Sequence, residues 1–444
     1  MSEDIKKQPI GTVRGWLVCL AVTFAGIVVM MNQFKVPPIQ RDLMSVFQVD
    51  AGAVGWLTSV FALAGLILAI PAAFILRGVG PKVTGMLALG ATMLGVTIGA
   101  TTNEFIVLLL SRVIEGTGVA LMGVVGPSVI AMYFNREKSG LPMGIWNIWY
   151  ATGSFTAYNV AVPIATRFSG GTLNWHNMWW FGGIMALIAF LLVAFIVTKP
   201  RPQDVIGSPS RPINKPLNAP IKVKLTDGFK VKRVWVLAAG FCFLMLTSLS
   251  FLTWAPTFFR EAYGMSPATA GSLSSLGYVT SIPASLICGL LLVKFKTIRQ
   301  RNIMLILCAV IELVIYPWCF LIPQNYITPY LILCGLATGF TAGCVWAAVP
   351  LTMPKRATIP LGMGILQAFK SLANMLGTPI MGYIVQVGGT PDAPIFDWSR
   401  GCLPIGIYAI LSMTCMLIYA KMKSETFEEH VFKANEKYIK KIHK

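Results

Sequence analysis

Acidic residues are scarce in this chain. Its 444 residues hold 17 Asp and Glu against 36 Lys and Arg, and charged residues of both signs make up only 12%. With 55% hydrophobic residues and a mean hydropathy of +0.70, this scarcity excludes a soluble globular domain and leaves a polytopic membrane protein. The nine cysteines include no Cys-x-x-Cys pair and have no histidine nearby at metal spacing. Neither a metal site nor a disulfide framework is expected, because cysteine inside apolar runs acts as a small hydrophobe. A GxxxxGK[ST] loop is also missing, which argues against ATP hydrolysis by this chain, and no cofactor or enzymatic chemistry is indicated. The first apolar run is too long for a signal-peptide core and lacks a small-residue cleavage site, so it is expected to remain as a helix.

What the chain has instead is long apolar runs. A membrane-crossing helix needs roughly 20 apolar residues, and twelve runs qualify. They are Trp16–Val36, Ala53–Leu76, Val83–Thr101, Phe105–Tyr133, Met143–Thr166, Met178–Val197, Trp235–Phe258, Gly271–Val293, Ile303–Ile322, Pro329–Met353, Gly362–Val387 and Leu403–Ala420. The net charge of +19 follows these spans: 29 of the 36 Lys and Arg fall on the side that carries both termini, and only Arg41, Arg167, Arg260 and Arg400 on the other. By the positive-inside rule both termini are cytoplasmic. The basic balance is thus a topology signal, and no nucleic-acid partner is needed to explain it.

Five segments are expected: a cytoplasmic N-terminus (1–15), a six-helix bundle (16–197), a Pro- and Lys/Arg-rich cytoplasmic linker (198–234), a second six-helix bundle (235–420) and a basic tail (421–444). The tail spaces Phe427, Val431, Tyr438 and Ile442 as an amphipathic helix would, though a solvated tail is an equal reading. The halves echo each other. Pro38 and the stretch Val49–Gly55 match Pro256 and Met265–Gly271, and Met143-Gly144-Ile145 opens span five as Met363-Gly364-Ile365 opens span eleven. In that register Asn147 corresponds to Gln367, Tyr150 to Lys370 and Ser154 to Asn374, as expected for two pseudo-symmetric bundles around a central path.

Span four reads Arg112-Val113-Ile114-Glu115-Gly116-Thr117-Gly118-Val119-Ala120, and the loop after span two reads Ala73 through Arg77-Gly78-Val79-Gly80-Pro81-Lys82. The first is similar to the RxxxGxGxA motif of the major facilitator superfamily, with Glu115 where Gln is frequent. The second resembles its GxxxDRxGxRR motif, with Arg77 in the acidic position. The resemblance covers nearly the whole chain and implies an all-α fold of twelve transmembrane helices in two six-helix bundles, working by alternating access. Span five keeps Gly144 and Gly153 but reads Ala157-Tyr158 where drug:proton antiporters have Gly-Pro, which disfavours multidrug export. The run Asn32–Ile39 and the Arg112–Phe134 stretch look nearest the cyanate permease-like and nitrate/nitrite-transporter-like branches. The paired mid-span Arg residues of the nitrate branch are absent, as is the span-eight Arg of oxalate:formate exchangers.

Lys370 is the leading site candidate. A cation at mid-membrane is costly unless it faces water or an anion, and Gln367, Asn374 and Thr378 share its helix face. Two readings stand: an anion contact, or a structural ion pair with Glu312 of span nine. Arg112 and Glu115, three apart, either neutralise each other at a cytoplasmic helix end or serve in anion binding, gating and proton coupling. Lys35 either snorkels to the outer interface or draws anions inward. Asn147, Tyr150, Gln367, Asn374, Tyr278 and Ser274 are candidate substrate contacts, although serines in such helices often bond their own backbone. Glu312, mid-span in a peripheral helix, is either structural or a second acid for coupling. The expected function is secondary transport of a small anion, a mono- or dicarboxylate, by a monomer in the bacterial inner membrane, with proton symport or anion exchange. Efflux of a neutral or cationic amphiphile, and a non-transporting membrane sensor, are the alternatives.

Overall fold

The computed structural model describes residues 12–68, 71–134, 140–167, 172–198, 229–294, 297–353 and 359–422. Most of the expected linker and tail lies outside these residues. The described residues are nearly all helical, as membrane-crossing segments must be where lipid offers no partner to a bare peptide group. In order come α1 (Val13–Phe34), α2 (Gln40–Phe47), α3 (Ala51–Ser59), α4 (Phe61–Leu68), α5 (Pro71–Thr101), α6 (Phe105–Tyr133), α7 (Gly140–Asn147), α8 (Trp149–Arg167) and α9 (His176–Ile196). After the linker follow α10 (Lys232–Tyr263), α11 (Pro267–Ser274), α12 (Leu276–Val279), α13 (Ser281–Lys294), α14 (Ile298–Ile315), α15 (Ile327–Thr352), α16 (Ile359–Val385) and α17 (Cys402–Lys421). A small hairpin, β1 (Gln386–Gly389) with β2 (Pro394–Phe396), joins α16 to α17.

Local chemistry sets the ends. Thr12, Asp50 and Ser266 cap α1, α3 and α11 by accepting from the backbone three residues on, and Thr297 with Gln300 forms a capping box for α14. Pro37 and Pro38 stop α1, and Gly264 at φ 63° ends α10. Gly80, at φ 82° and ψ 166°, turns the chain inside α5, so that element holds the end of span two, the turn and span three.

Eight described helices, or nine counting the α3–α4 pair bent by 41°, are each long and apolar enough to cross a membrane. The remaining three passes of the twelve are α7 with α8, interrupted at Ile148, α14 with Arg299, Arg301 and Glu312, and α16 with its polar stripe. Packing repeats between the halves: α1 on α8, α4 on α6 and α5 on α9 correspond to α10 on α16, α13 on α15 and α14 on α17. Leu17, Leu110, Leu290 and Leu403 are exposed on the outside, as a lipid-facing surface requires.

Between the halves, close packing is concentrated in the part away from the termini. There α3 and α4 lie on α16, and α8 lies on α11 and α12. Near the termini, α5, α7 and α13 make little contact across the bundles. The space between the bundles therefore opens toward the side that carries the termini.

Candidate functional site

Lys370 lies about halfway along α16, roughly 16 Å from its start at 1.5 Å per residue. Its Nζ sits 4.4 Å from the ring centroid of Tyr150 on α8, so cation and ring meet across the two bundles. The side chain is half-buried. Among the described residues it forms no ion pair and no hydrogen bond. An ammonium has three donors, and here all three are left for whatever enters.

Behind this pair the cavity is shut by aromatic rings. Phe34 meets Tyr150 edge-on at 5.6 Å and Tyr278 at 5.4 Å. Tyr278 packs at 5.2 Å against Tyr158, whose hydroxyl donates to Leu252 O at 2.9 Å and lies 3.4 Å from the Tyr278 hydroxyl. Phe34, Tyr158 and Tyr278 are each at most 3% exposed. Four elements, α1, α8, α10 and α12, thus share one plug.

A second charge cluster lies inside the first bundle. Glu115 Oε2 is 2.6 Å from Arg112 Nη1 and 3.1 Å from Lys35 Nζ, and all three side chains are fully buried. Arg112 also donates to Leu57 O at 2.9 Å, Asn32 O at 2.8 Å and Gln33 O at 2.8 Å. The last of these has a plain cause. Gln33 O would accept from residue 37 in a continuing helix, and Pro37 has no N–H to give. Leu57 O sits just before the bend between α3 and α4. Lys35 Nζ is held further by Asn32 Oδ1 at 3.1 Å and by the Trp179 ring at 4.2 Å. Gly116, in the same motif, must be glycine, because a Cβ there would stand 2.0 Å from Phe61 O.

At the end away from the termini, two ion pairs join the bundles reciprocally. Arg41 Nε is 2.8 Å from Glu261, and Arg260 reaches both carboxylate oxygens of Asp42, at 2.7 and 3.1 Å. Arg41 also donates to Pro391 O and Asp392 O in the hairpin turn. The Asp392 carboxylate accepts from Ser45 and Gln48, and these bonds, with Arg41 nearby, hold it below the usual carboxylate range. Gln386 Oε1 takes the Ala51 N–H, so the second bundle helps cap a helix of the first.

The sequence profile of the Major Facilitator Superfamily matches residues 19–359. The chain belongs to that superfamily. As a member it is a membrane transporter and not an enzyme. It is 23% identical over 364 residues to "Uncharacterized transporter YycB" of Bacillus subtilis, covering 81% of this chain and 84% of that one. To the "Probable L-galactonate transporter" of Escherichia coli it is 23% identical over 392 residues, 83% and 82% of the two chains. To the "Probable galactarate/D-glucarate transporter GudP" of Bacillus subtilis it is 24% identical over 412 residues, 84% and 85%. The fold matches a bacterial homolog of the human lysosomal transporter Spinster at a TM-score of 0.70 and 15% identity, over 92% and 96% of the chains.

On this superfamily fold several expectations are redrawn. Glu312 is no partner for Lys370: α14 packs on α15 and α17, and both Glu312 oxygens are buried without a hydrogen bond among the described residues. Lys35 does not snorkel but turns inward to Glu115. The Arg112–Glu115 pair sits toward the end of α6 away from the termini, where α1 stops, instead of at a cytoplasmic helix end. Ser274 spends its hydroxyl on Ala270 O, and Ser281 and Ser285 bond back in the same way. Tyr278 belongs to the plug. Asn147, Tyr150 and Gln367 keep accessible surface, and Asn374 Oδ1 is buried without a partner while its backbone carbonyl accepts from Ser59. Phe34 and the Arg41–Glu261 and Arg260–Asp42 pairs were not anticipated. A signal existed: Arg41-Asp42 and Arg260-Glu261 follow Pro38 and Pro256 at nearly equal distances.

Proposed function

We propose that this transporter carries a small carboxylate anion, of the size and charge of a sugar acid, from the medium into the cytoplasm as a monomer in the bacterial inner membrane. The observation that carries the reading is the unpaired Lys370 ammonium at mid-membrane, reachable from the cavity and backed by the Tyr150 ring. Gln367, Asn147 and Asn374 on the adjoining faces would donate to the hydroxyl and carboxyl oxygens of such a substrate. Both termini, by the charge split, lie in the cytoplasm, so the cavity is in its inward-open state. The expected division at 16–197 and 235–420, with linker 198–234 between, gives the two rigid halves that rock around the site. Proton symport or anion exchange supplies the driving force. Relatives named for galactonate and galactarate/glucarate support the substrate class.

The test is counterflow in liposomes with labelled gluconate-, galactonate- and glucarate-type acids against sugars and lipophilic cations. Exchange of acids alone is the expected result. Exchange of lipophilic cations alone would turn the reading to efflux, and exchange of nothing would favour a sensor.

Closure of the outer side is assigned to the reciprocal pairs of Arg41, Glu261, Arg260 and Asp42. Each pair is partly exposed, so each contributes about 1 kcal/mol or less, or at most a factor of about five in the open-to-closed ratio. Asp42→Arg is expected to shift that ratio about fivefold toward the outward-open form. Exchanging the charges, with Asp42→Arg and Arg260→Asp together, should restore it. Spin-label distances between Val46 and Thr390 read the shift, and an equal opening in the single and exchanged variants would refute the assignment. Because Asp392 is held below the usual carboxylate range by Ser45 and Gln48, its contribution is present above its unfolded-state value. It is lost only as pH falls through the lower folded one, so closure should be unchanged between about pH 5 and 8.

A further inference from the structure

At the termini-bearing end of the second bundle, a small cleft of about 20 Å³ lies between the ends of α10, α13, α14, α15 and α17. Its wall has two parts. Arg233, Arg301, Asn302 and Tyr419 supply polar groups, and Leu305 and Leu351 belong to the apolar lining. Arg233 stands out among them. It is only 6% exposed, its Nε has no hydrogen-bond partner, and it makes no ion pair with any described acid. Its guanidinium is held 4.3 Å from the Tyr419 ring centroid, and the Tyr419 hydroxyl is fixed 2.7 Å from that of Thr352. A buried guanidinium with an idle N–H, oriented by a ring and facing an open pocket, is poised for an anion. Its planar donor fork matches phosphate oxygens.

We propose that this pocket binds a phosphate group, and that the group is the headgroup of an anionic phospholipid. Its position favours the lipid over a soluble phosphate. The cleft sits where helices leave the apolar layer, so a headgroup can dock at its mouth with its phosphate on Arg233 and its first methylenes against the leucines. Basic pockets between membrane helices on the cytoplasmic side suit such headgroups. The site is separate from the Lys370 cavity and does not rest on the substrate reading.

The test uses the full chain in neutral detergent, with its apparent melting temperature followed against short-chain phosphatidylglycerol, phosphatidylcholine and inorganic phosphate. Wild type, Arg233→Gln, Ala347→Phe (which fills the pocket) and Lys370→Ala are compared. Phosphatidylglycerol should stabilise wild type and Lys370→Ala, whereas phosphatidylcholine and phosphate should not. Arg233→Gln should weaken the response about fivefold, as expected for losing one basic contact to an anionic headgroup, and Ala347→Phe should remove it. Should Arg233→Gln fold poorly, Ala347→Phe and native mass spectrometry of lipid retained by the wild type decide alone. An equal response in all four proteins, or none in wild type, overturns the proposal. Stabilisation by inorganic phosphate that Ala347→Phe abolishes would assign the pocket to a soluble anion and overturn the lipid.

Discussion

Lys370→Ala is expected to fold normally and lose anion uptake. The two halves of that result have separate causes. Among the described residues the ammonium has no acid and no hydrogen bond, only the Tyr150 ring at 4.4 Å. Deleting it removes an uncompensated charge from mid-membrane and breaks no ion pair, so the ligand-free melting temperature should stay level or rise. Binding is another matter. A carboxylate in this cavity would lose its counter-charge, and removing one partner of a buried charge pair costs roughly 2–5 kcal/mol. That is at least about thirtyfold in affinity, enough to abolish uptake at ordinary substrate concentrations. Lys370→Arg keeps the charge but places a larger planar group where a compact one stood, so a trace of uptake should remain. The measurements are uptake in proteoliposomes and thermal shift by the acid substrate. Wild-type uptake by well-folded Lys370→Ala would remove the anion site. A sharp fall in its ligand-free stability would show that the residue is structural after all.

What the sequence made legible follows from how local each signal is. A span is one run of apolar residues and a polar stripe is one helix face, so the spans and the Lys370 face could be read directly. The RxxxGxGxA stretch is equally local, and Gly116 lies where only hydrogen fits. Pairings between distant segments were not legible. Glu115 looks balanced by Arg112 three residues away, yet Lys35, 80 positions earlier, is also its partner. Nothing in the order of residues reveals that α1 and α6 meet at that depth. The Glu312–Lys370 pairing failed for the converse reason. Opposite charges at similar depth suggested a pair, but α14 faces α15 and α17. The serine stripe of Ser274, Ser281 and Ser285 shows a third limit: a hydroxyl near its own helix carbonyls finds a bond without any ligand. The Arg41 and Arg260 pairs read as ordinary loop-end charges until the bundles are brought together.

Glu115 is where structural and coupling roles give opposite expectations. Ionised, it leaves the Lys35–Arg112–Glu115 cluster with a net charge of +1. Glu115→Leu would leave two cations fully buried with no acid, and breaking a buried pair in this way costs about 3–5 kcal/mol. The loss should reach further than the cluster. Arg112 supplies the bond that Pro37 cannot give to Gln33 O, and Lys35 lies against Trp179. Glu115→Gln is the informative variant, because it keeps the shape and one acceptor but removes the neutralising charge. We expect it to be markedly destabilised, with residual transport whose pH profile matches wild type. The triple change Lys35→Met, Arg112→Leu and Glu115→Leu should recover less than the apolar swap alone predicts, because Leu57 O, Asn32 O and Gln33 O would lose their donor. Denaturation of purified variants and uptake between pH 5.5 and 8 separate the roles, those limits being roughly the range in which proteins stay most stable. A stable Glu115→Gln whose uptake no longer varies with pH would make Glu115 the proton-coupling group and overturn the structural assignment.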